Sequence, residues 1–125
     1  MSALSGRKIL IVDDEDALRE ILSVELSLSG ADVSQAESGA KGLESIRNGA
    51  FDTIISDIRM PDVDGITLLK SVKSEFPKTQ VYLVTGFADI SREEAIELGA
   101  EEVLYKPYDV EELVHILTTN KPNLS

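Results

Sequence analysis

The sequence predicts an α/β fold in which a parallel sheet carries helices on both faces. Short apolar segments bounded by turn residues, which are typical of buried strands, alternate along the chain with longer segments of helical periodicity. Regular alternation of strands and helices indicates a parallel sheet with right-handed crossovers. The length of 125 residues, without repeats or linkers, favours a single domain over residues 1–125 with a polar tail from 120 to 125.

The first strand and helix have clear boundaries in the sequence. Lys8–Val12 is expected to form the strand, Asp16 to cap the following helix, and Gly30 to end that helix in a left-handed conformation. The buried side of this helix is expected to consist of its apolar residues at helical spacing, namely Leu18, Ile21, Leu22, Leu26 and Leu28.

The remaining elements follow from similar signals. The other strands are expected around Val33 and at 51–56, 81–84 and 103–105. The second helix is expected to begin near Ser38, and the third to end at Phe76, because a residue before proline disfavours helical geometry. Ser91 with Glu94 matches a capping box at the start of the fourth helix. Asp109 is expected to begin the fifth.

Composition and charge exclude several classes of protein. Hydrophobic residues make up 42% of the chain and charged residues 28%, which is ordinary for a globular domain. No apolar segment approaches the roughly 20 residues that a membrane span requires, and there is no signal-peptide pattern and no cysteine. The net charge of −11 argues against direct nucleic-acid binding, which depends on basic contacts to phosphate. We therefore expect a cytoplasmic protein that binds neither nucleic acid nor membrane.

Polar side chains of complementary chemistry follow four of the predicted strands. Asp13 and Asp14 follow the first strand, Asp57 the third, Thr85 the fourth and Lys106 the fifth. The carboxyl ends of parallel strands lie at one edge of the sheet, and ligands bind in the crevice there. We therefore expect three carboxylates, a hydroxyl and an amine to gather at this edge, where they suit a divalent cation and a phosphoryl group.

Motifs in the same order resemble those of the receiver domains of bacterial two-component response regulators. They are Val12-Asp13-Asp14-Glu15, Asp57 with Met60-Pro61 and Asp64-Gly65, Thr85-Gly86, Gly99-Ala100 and Lys106-Pro107-Tyr108. The resemblance extends over about residues 8–118. It implies a flavodoxin-like, doubly wound sheet of five parallel strands in the order 2-1-3-4-5, with five helices.

The resemblance also implies a function in signal transduction. Asp57 would accept a phosphoryl group from the phosphohistidine of a sensor histidine kinase or phosphotransfer protein, or from a small acyl phosphate, in a Mg²⁺-dependent reaction. The phosphorylated protein would signal through a conformational change. The protein would then not be an enzyme acting on a separate substrate, because it catalyses only its own phosphorylation and slow dephosphorylation.

The chemistry of the candidate residues supports the same assignment. Crowded carboxylates repel one another, and bound Mg²⁺ relieves that repulsion through oxygen ligands. We expect Asp14, Asp57 and the backbone carbonyl of Arg59 to bind the ion directly, and Asp13 to bind it through a water. Asp57 would be the carboxylate nucleophile, Lys106 a second positive centre, and Thr85 a donor to the phosphoryl oxygens.

Two features depart from the family pattern. The family places an aromatic switch residue three positions before the lysine, and this sequence has Val103 there. Tyr105 has a ring but is expected to point to the opposite face of the strand. The segment from Thr85 to Lys106 is one residue shorter than in most receivers, and the shortening is expected within Phe87–Ile90 or the helix after it.

Two further positions are expected to set the lifetime of the phosphorylated state. Arg59 and Phe87 flank the path of the hydrolytic water in the family. A bulky Phe87 would exclude that water and Arg59 would contact phosphoryl oxygens, so we expect slow self-dephosphorylation. The alternative is that both are ordinary loop residues.

Other interpretations of the same residues are possible. Asp57 alone could begin a turn and Lys106 could be a surface lysine, while Asp62 and Asp64 are expected to be turn and cap residues. A phosphatase of the haloacid dehalogenase type needs an acid two residues after its nucleophile, where this chain has Arg59. The glycine-rich phosphate motifs of nucleotide-binding domains do not occur. A pseudo-receiver that binds partners without taking phosphate remains the alternative, because of Val103.

Overall fold

A computed structural model of the chain describes residues 3–87 and 90–120. Its sheet contains five parallel strands in the order β2-β1-β3-β4-β5, which confirms the predicted topology. The strands are β1 (Lys8–Val12), β2 (Asp32–Ala36), β3 (Thr53–Asp57), β4 (Gln80–Thr85) and β5 (Glu102–Tyr105). The segment expected to be shortened and the expected polar tail lie partly outside residues 3–87 and 90–120. The described residues do not include Ala88, Asp89 or 121–125.

A helix follows every strand. The helices are α1 (Asp16–Leu28), α2 (Gly39–Asn48), α3 (Gly65–Glu75), α4 (Arg92–Glu97) and α5 (Val110–Thr119). Within residues 3–87 and 90–120, no helix is both long and apolar enough to cross a membrane.

The sheet separates two hydrophobic cores, because successive strand residues point to opposite faces. In β1, Leu10 and Val12 pack with α2, α3 and α4, whereas Ile9 and Ile11 pack with α1 and α5. The central strands β3 and β4 are buried along their whole length. Burial on both faces explains why their central residues, 54–55 and 81–84, are hydrophobic without alternation.

Three helix starts are capped as the residue types predict. The side chains of Ser38, Asp64 and Ser91 accept hydrogen bonds from backbone amides in the first turns of α2, α3 and α4. The prediction for α1 was wrong: Glu15 holds the cap position, while Asp16 lies in the first turn. Asp109 holds the cap position of α5 without a side-chain cap bond.

The expected buried side of α1 is only partly buried. Leu22 and Leu26 lie in the core, but Leu18, Ile21 and Leu28 are exposed by 44%, 57% and 77%. The apolar stripe of α1 is therefore wider than the surface that the sheet and α5 cover. Helical periodicity identified the apolar side of the helix correctly and overestimated how much of it is buried.

Candidate functional site

The register of the sheet brings the predicted site residues to one edge. Val12 pairs with Ser56, so Asp13 and Asp57 follow one step later on neighbouring strands. Thr85, the last residue of β4, pairs with Tyr105, and Lys106 follows directly. The positions of these side chains thus follow from parallel pairing.

The three aspartates form one cluster. A carboxylate oxygen from each of Asp13, Asp14 and Asp57 lies within 4.8 Å of the others. Asp57 is buried, Asp13 is half-buried and Asp14 is exposed, so the cluster opens from the sheet edge towards solvent. Three converging carboxylates fit the hard oxygen ligands that Mg²⁺ prefers. Asp13, Asp14 and Asp57 are therefore the side chains that could hold the ion.

Asp57 is held in place at both carboxylate oxygens. The Ile58 amide donates to Oδ1 at 2.8 Å, and Nζ of Lys106 donates to Oδ2 at 3.2 Å. Only 8% of Asp57 is exposed. These donors orient the carboxylate, and the ion pair with Lys106 supplies a positive charge beside it.

Burial raises the pKa of Asp13 above its ordinary value. The amide of Glu15 donates to Oδ1 of Asp13 at 2.9 Å and opposes this rise, whereas the negative charge of Asp57 adds to it. Desolvation and a like charge both disfavour the ionised form of a carboxyl group. A cation bound between these carboxylates would remove part of that cost.

Lys106 is fixed to the strand beside it. Its backbone amide donates to the carbonyl of Thr85 at 2.8 Å, and the peptide bond to Pro107 is cis. Burial opposes the charge on Lys106, but Asp57, with Asp13 and Glu15, outweighs this effect and raises the pKa of Lys106. The ammonium group therefore faces the acidic cluster in its charged form.

The Thr85 hydroxyl is engaged within its own loop. It accepts from the Phe87 amide and donates to the Phe87 carbonyl, both at 3.1 Å. To donate to a phosphoryl oxygen, the hydroxyl must release the Phe87 carbonyl. Such a contact would therefore remove one of the two bonds that join the Thr85 hydroxyl to the Phe87 backbone.

Arg59 and Phe87 lie against each other. The guanidinium carbon of Arg59 is 3.8 Å from the centroid of the Phe87 ring, in a cation–π arrangement. The two positions that were expected to affect phosphoryl lifetime are thus in direct contact, which no feature of the sequence indicated.

The expected orientation of Tyr105 was wrong. Val103 packs in the same hydrophobic core as Ile90, and the Tyr105 hydroxyl donates to the Ile90 carbonyl at 3.2 Å. Leu104 packs in the other core. Residues two apart share a face of a strand, so Tyr105 lies on the same side as Val103, towards the loop before α4.

Asp62 and Asp64 both accept hydrogen bonds from backbone amides near helix starts, Asp64 as the expected cap of α3 and Asp62 across to α2. Asp62 accepts from the Ala40 amide at 3.1 Å, and Asp64 caps α3 through Thr67 at 2.7 Å. The approach of α3 to the site requires Gly65, because a Cβ there would lie 2.2 Å from the Asp57 carbonyl oxygen.

Arg19 is a further residue near the site, and none of the sequence motifs includes it. Its guanidinium donates to the backbone carbonyl of Asp13 at 2.8 Å. A basic residue in the first turns of a helix is disfavoured, because it meets the positive end of the helix dipole. That position was the signal in the sequence that could have drawn attention to it.

The fold and the site define a class of protein: a doubly wound parallel α/β domain with an acidic cluster and a lysine at the carboxyl edge of its sheet. The family model described as the response regulator receiver domain matches residues 9–118. The chain belongs to this family.

Relatives and solved structures agree with this assignment. The chain is similar to the regulatory protein AtoC of Escherichia coli, with 39% identity over 85% of this chain and 23% of the relative. It is also similar to the DNA-binding transcriptional regulator NtrC of Escherichia coli, with 34% identity over 87% of this chain and 24% of the relative. The chain thus spans about a quarter of these relatives.

Two solved structures have the same fold. A response regulator receiver domain protein from Clostridium thermocellum has a TM-score of 0.85 and 29% identity, covering 90% of this chain and 92% of its own. The response regulator TrrA of Thermotoga maritima, in complex with Mg²⁺ and BeF, has a TM-score of 0.83 and 27% identity, covering 90% of this chain and 97% of its own.

Proposed function

We propose that this receiver domain accepts a phosphoryl group on Asp57 in a Mg²⁺-dependent reaction. The donor would be the phosphohistidine of a sensor histidine kinase or phosphotransfer protein, or a small acyl phosphate. The observation that carries the proposal is the position of Asp57, which lies within 4.8 Å of the other two carboxylates and 3.2 Å from Lys106. The functional receiver unit in this proposal extends over about residues 8–118.

Each residue has a distinct part in this reaction. A carboxylate oxygen of Asp57 attacks phosphorus, and the bond from phosphorus to the donor nitrogen or acyl oxygen breaks, so that the leaving group keeps the electron pair. Lys106 stays protonated and stabilises the negative charge on the transferred group. Thr85 donates its hydroxyl to a phosphoryl oxygen after releasing the Phe87 carbonyl.

The metal site in this proposal consists of Asp14, Asp57 and the backbone carbonyl of Arg59, with Asp13 acting through a water. Bound Mg²⁺ would supply positive charge for the phosphoryl oxygens. The protein would complete one phosphorylation and one slow hydrolysis on itself, rather than turn over a separate substrate.

Val103 favours a second candidate function, a pseudo-receiver that binds partners without phosphorylation. Its small side chain packs in the same core as Ile90. Valine has no aromatic ring that could change orientation on phosphorylation, as the family's switch residue does. The acidic cluster, Thr85 and Lys106 favour the phosphoacceptor instead.

Intact-protein mass after incubation with acetyl phosphate tests the proposal. We expect a Mg²⁺-dependent gain of one phosphoryl group in the wild type and none in Asp57→Asn. Asp52→Asn is a matched control, because Asp52 precedes β3 at the opposite end of the strand. Failure to gain mass, from acetyl phosphate and from phosphorylated histidine kinases alike, would favour the pseudo-receiver.

A further inference from the structure

The Asp13 backbone is held from two directions. Its amide donates to the carbonyl of Ala36 on β2 at 3.2 Å, and its carbonyl accepts from Nη1 of Arg19 at 2.8 Å. The Asp13 carboxylate in turn accepts from the Glu15 amide. The segment that carries Asp13 and Asp14 is therefore fixed between β2 and α1.

Arg19 uses its whole guanidinium group in this contact. Besides the Asp13 carbonyl, it donates from Nε to Oε1 of Gln35 at 3.0 Å and from Nη2 to Oδ1 of Asp16 at 2.7 Å. Only 12% of the side chain is exposed. Arginine alone among the basic residues has a planar fork that can donate to three such separated acceptors.

The position of Arg19 in α1 does not favour the helix itself. Side chains of helical residues point back towards the N-terminus, so the guanidinium of Arg19 reaches the loop before α1. There it meets the positive end of the helix dipole, which disfavours a cation. The contacts with Asp13, Asp16 and Gln35 offset this cost, and they place a positive charge beside the acidic segment.

We propose that Arg19 is a positioning residue for the acidic site, which holds the Asp13–Asp14 segment in the geometry that binds Mg²⁺. The inference rests on the proposed function of the site. Groups that orient metal ligands without touching the metal typically contribute about ten- to hundredfold to metal affinity. Arg19 acts on the ligands through the backbone and is not itself a ligand.

Calorimetric titration of the metal-free 125-residue chain with Mg²⁺ tests this role. We expect Arg19→Met, which keeps the apolar stem and removes the donors, to weaken Mg²⁺ binding about tenfold or more. Arg19→Lys keeps the charge but loses the fork, so it should recover only part of the affinity. Gln35→Ala is the matched control: it removes the contact of Arg19 with β2 and leaves the contact with the Asp13 carbonyl, so affinity should change little.

Thermal denaturation without Mg²⁺ separates this role from a general effect on folding. If Arg19→Met and Gln35→Ala lower the melting temperature equally but only Arg19→Met loses Mg²⁺ affinity, the positioning role is supported. Unchanged Mg²⁺ affinity in Arg19→Met, or full affinity in Arg19→Lys if Arg19→Met does not fold, would overturn it. A wild type that binds no Mg²⁺ and takes no phosphoryl group would overturn the proposed function as well.

Discussion

The Arg59 guanidinium stacks 3.8 Å from the centre of the Phe87 ring and joins the loop after β3 to the loop after β4. The first loop follows Asp57 and the second follows Thr85, so the contact connects the loops that follow two of the residues proposed to bind the phosphoryl group. Phe87 is 54% exposed, so the stack is open to solvent on one side. A cation–π contact at such an exposed position contributes about 0.5–1 kcal/mol.

We expect this stack to slow hydrolysis of phosphorylated Asp57. Phe87→Ala should shorten the lifetime of the phosphoprotein several-fold, because water then reaches phosphorus more easily. Arg59→Ala should act in the same direction, and the double variant should be less than additive, because each substitution removes the same contact. Decay of intact-protein mass after removal of the donor measures the lifetime.

Phe87→Leu is the matched control, because it keeps much of the side-chain bulk but cannot stack with Arg59. If the stack slows hydrolysis, Phe87→Leu should lose most of the added lifetime, whereas a retained lifetime would show that bulk alone excludes water. Decay rates that are equal in the wild type, Phe87→Ala and Arg59→Ala would contradict the prediction and leave both as ordinary loop residues.

Tyr105 is expected to report the movement of the loop after β4. Its hydroxyl donates to the Ile90 carbonyl, and phosphorylation would draw Thr85 away from Phe87 in the same loop. Tyr105→Phe should leave phosphorylation by acetyl phosphate intact and reduce the phosphorylation-induced changes in the amide chemical shifts of α4. It should also lower the free energy of unfolding by about 1 kcal/mol, the usual contribution of one hydrogen bond.

Tyr108→Phe is the control for the loss of a tyrosine hydroxyl, because Tyr108 packs against the other core. If the α4 shifts respond to phosphorylation equally in the wild type, Tyr105→Phe and Tyr108→Phe, Tyr105 has no part in the conformational change.

The fold and the edge of the sheet that carries the site could be predicted, because they depend on local sequence patterns and on the geometry of parallel strands. Asp13, Asp57 and Lys106 each follow an apolar strand, and parallel strands must place their carboxyl ends together. The orientation of Tyr105 was wrongly predicted although the sequence contains the information, because residues 103 and 105 are two apart and share a face of the strand.

The features that were missed depend on distant partners. Buried Arg7 donates to the Leu117 carbonyl, to Thr53 and to Gln80, across 110, 46 and 73 residues of sequence. No local pattern contains such contacts. The exposure of Leu18 on α1 was missed for a similar reason, because periodicity indicates an apolar face and not the width of the surface that covers it.

Gly65→Ala should disturb Asp57 through its backbone. A Cβ at position 65 would lie 2.2 Å from the Asp57 carbonyl oxygen and 2.8 Å from the Ile58 Cα, so α3 and the backbone of Asp57 must move apart. Overpacking of this kind costs about 1–3 kcal/mol, and the rate of phosphorylation should fall because Asp57 moves with its backbone. Chemical denaturation and mass spectrometry measure the two effects.

Gly86→Ala is the matched substitution for stability. A Cβ there would meet only the Lys106 side chain, at 3.9 Å. The Gly86→Ala variant should therefore be as stable as the wild type. Equal stability of Gly65→Ala and the wild type would show that α3 does not need the close approach at Asp57.

Asp13→Asn should stabilise the metal-free protein at neutral pH, mainly because burial raises the pKa of Asp13 above its ordinary 3.8. A carboxyl group whose pKa is raised in the folded state reduces stability when ionised, and this loss disappears as the pH falls below the unfolded pKa. The gain in melting temperature of Asp13→Asn over the wild type should therefore shrink with acidification.

In saturating Mg²⁺ the gain should also shrink, because the wild type binds the ion more tightly and is stabilised more by it. Thermal denaturation from neutral to acidic pH, with and without Mg²⁺, measures both trends. A wild type that is more stable than Asp13→Asn without Mg²⁺ at neutral pH would show that the ionised carboxylate stabilises the fold, contrary to the prediction.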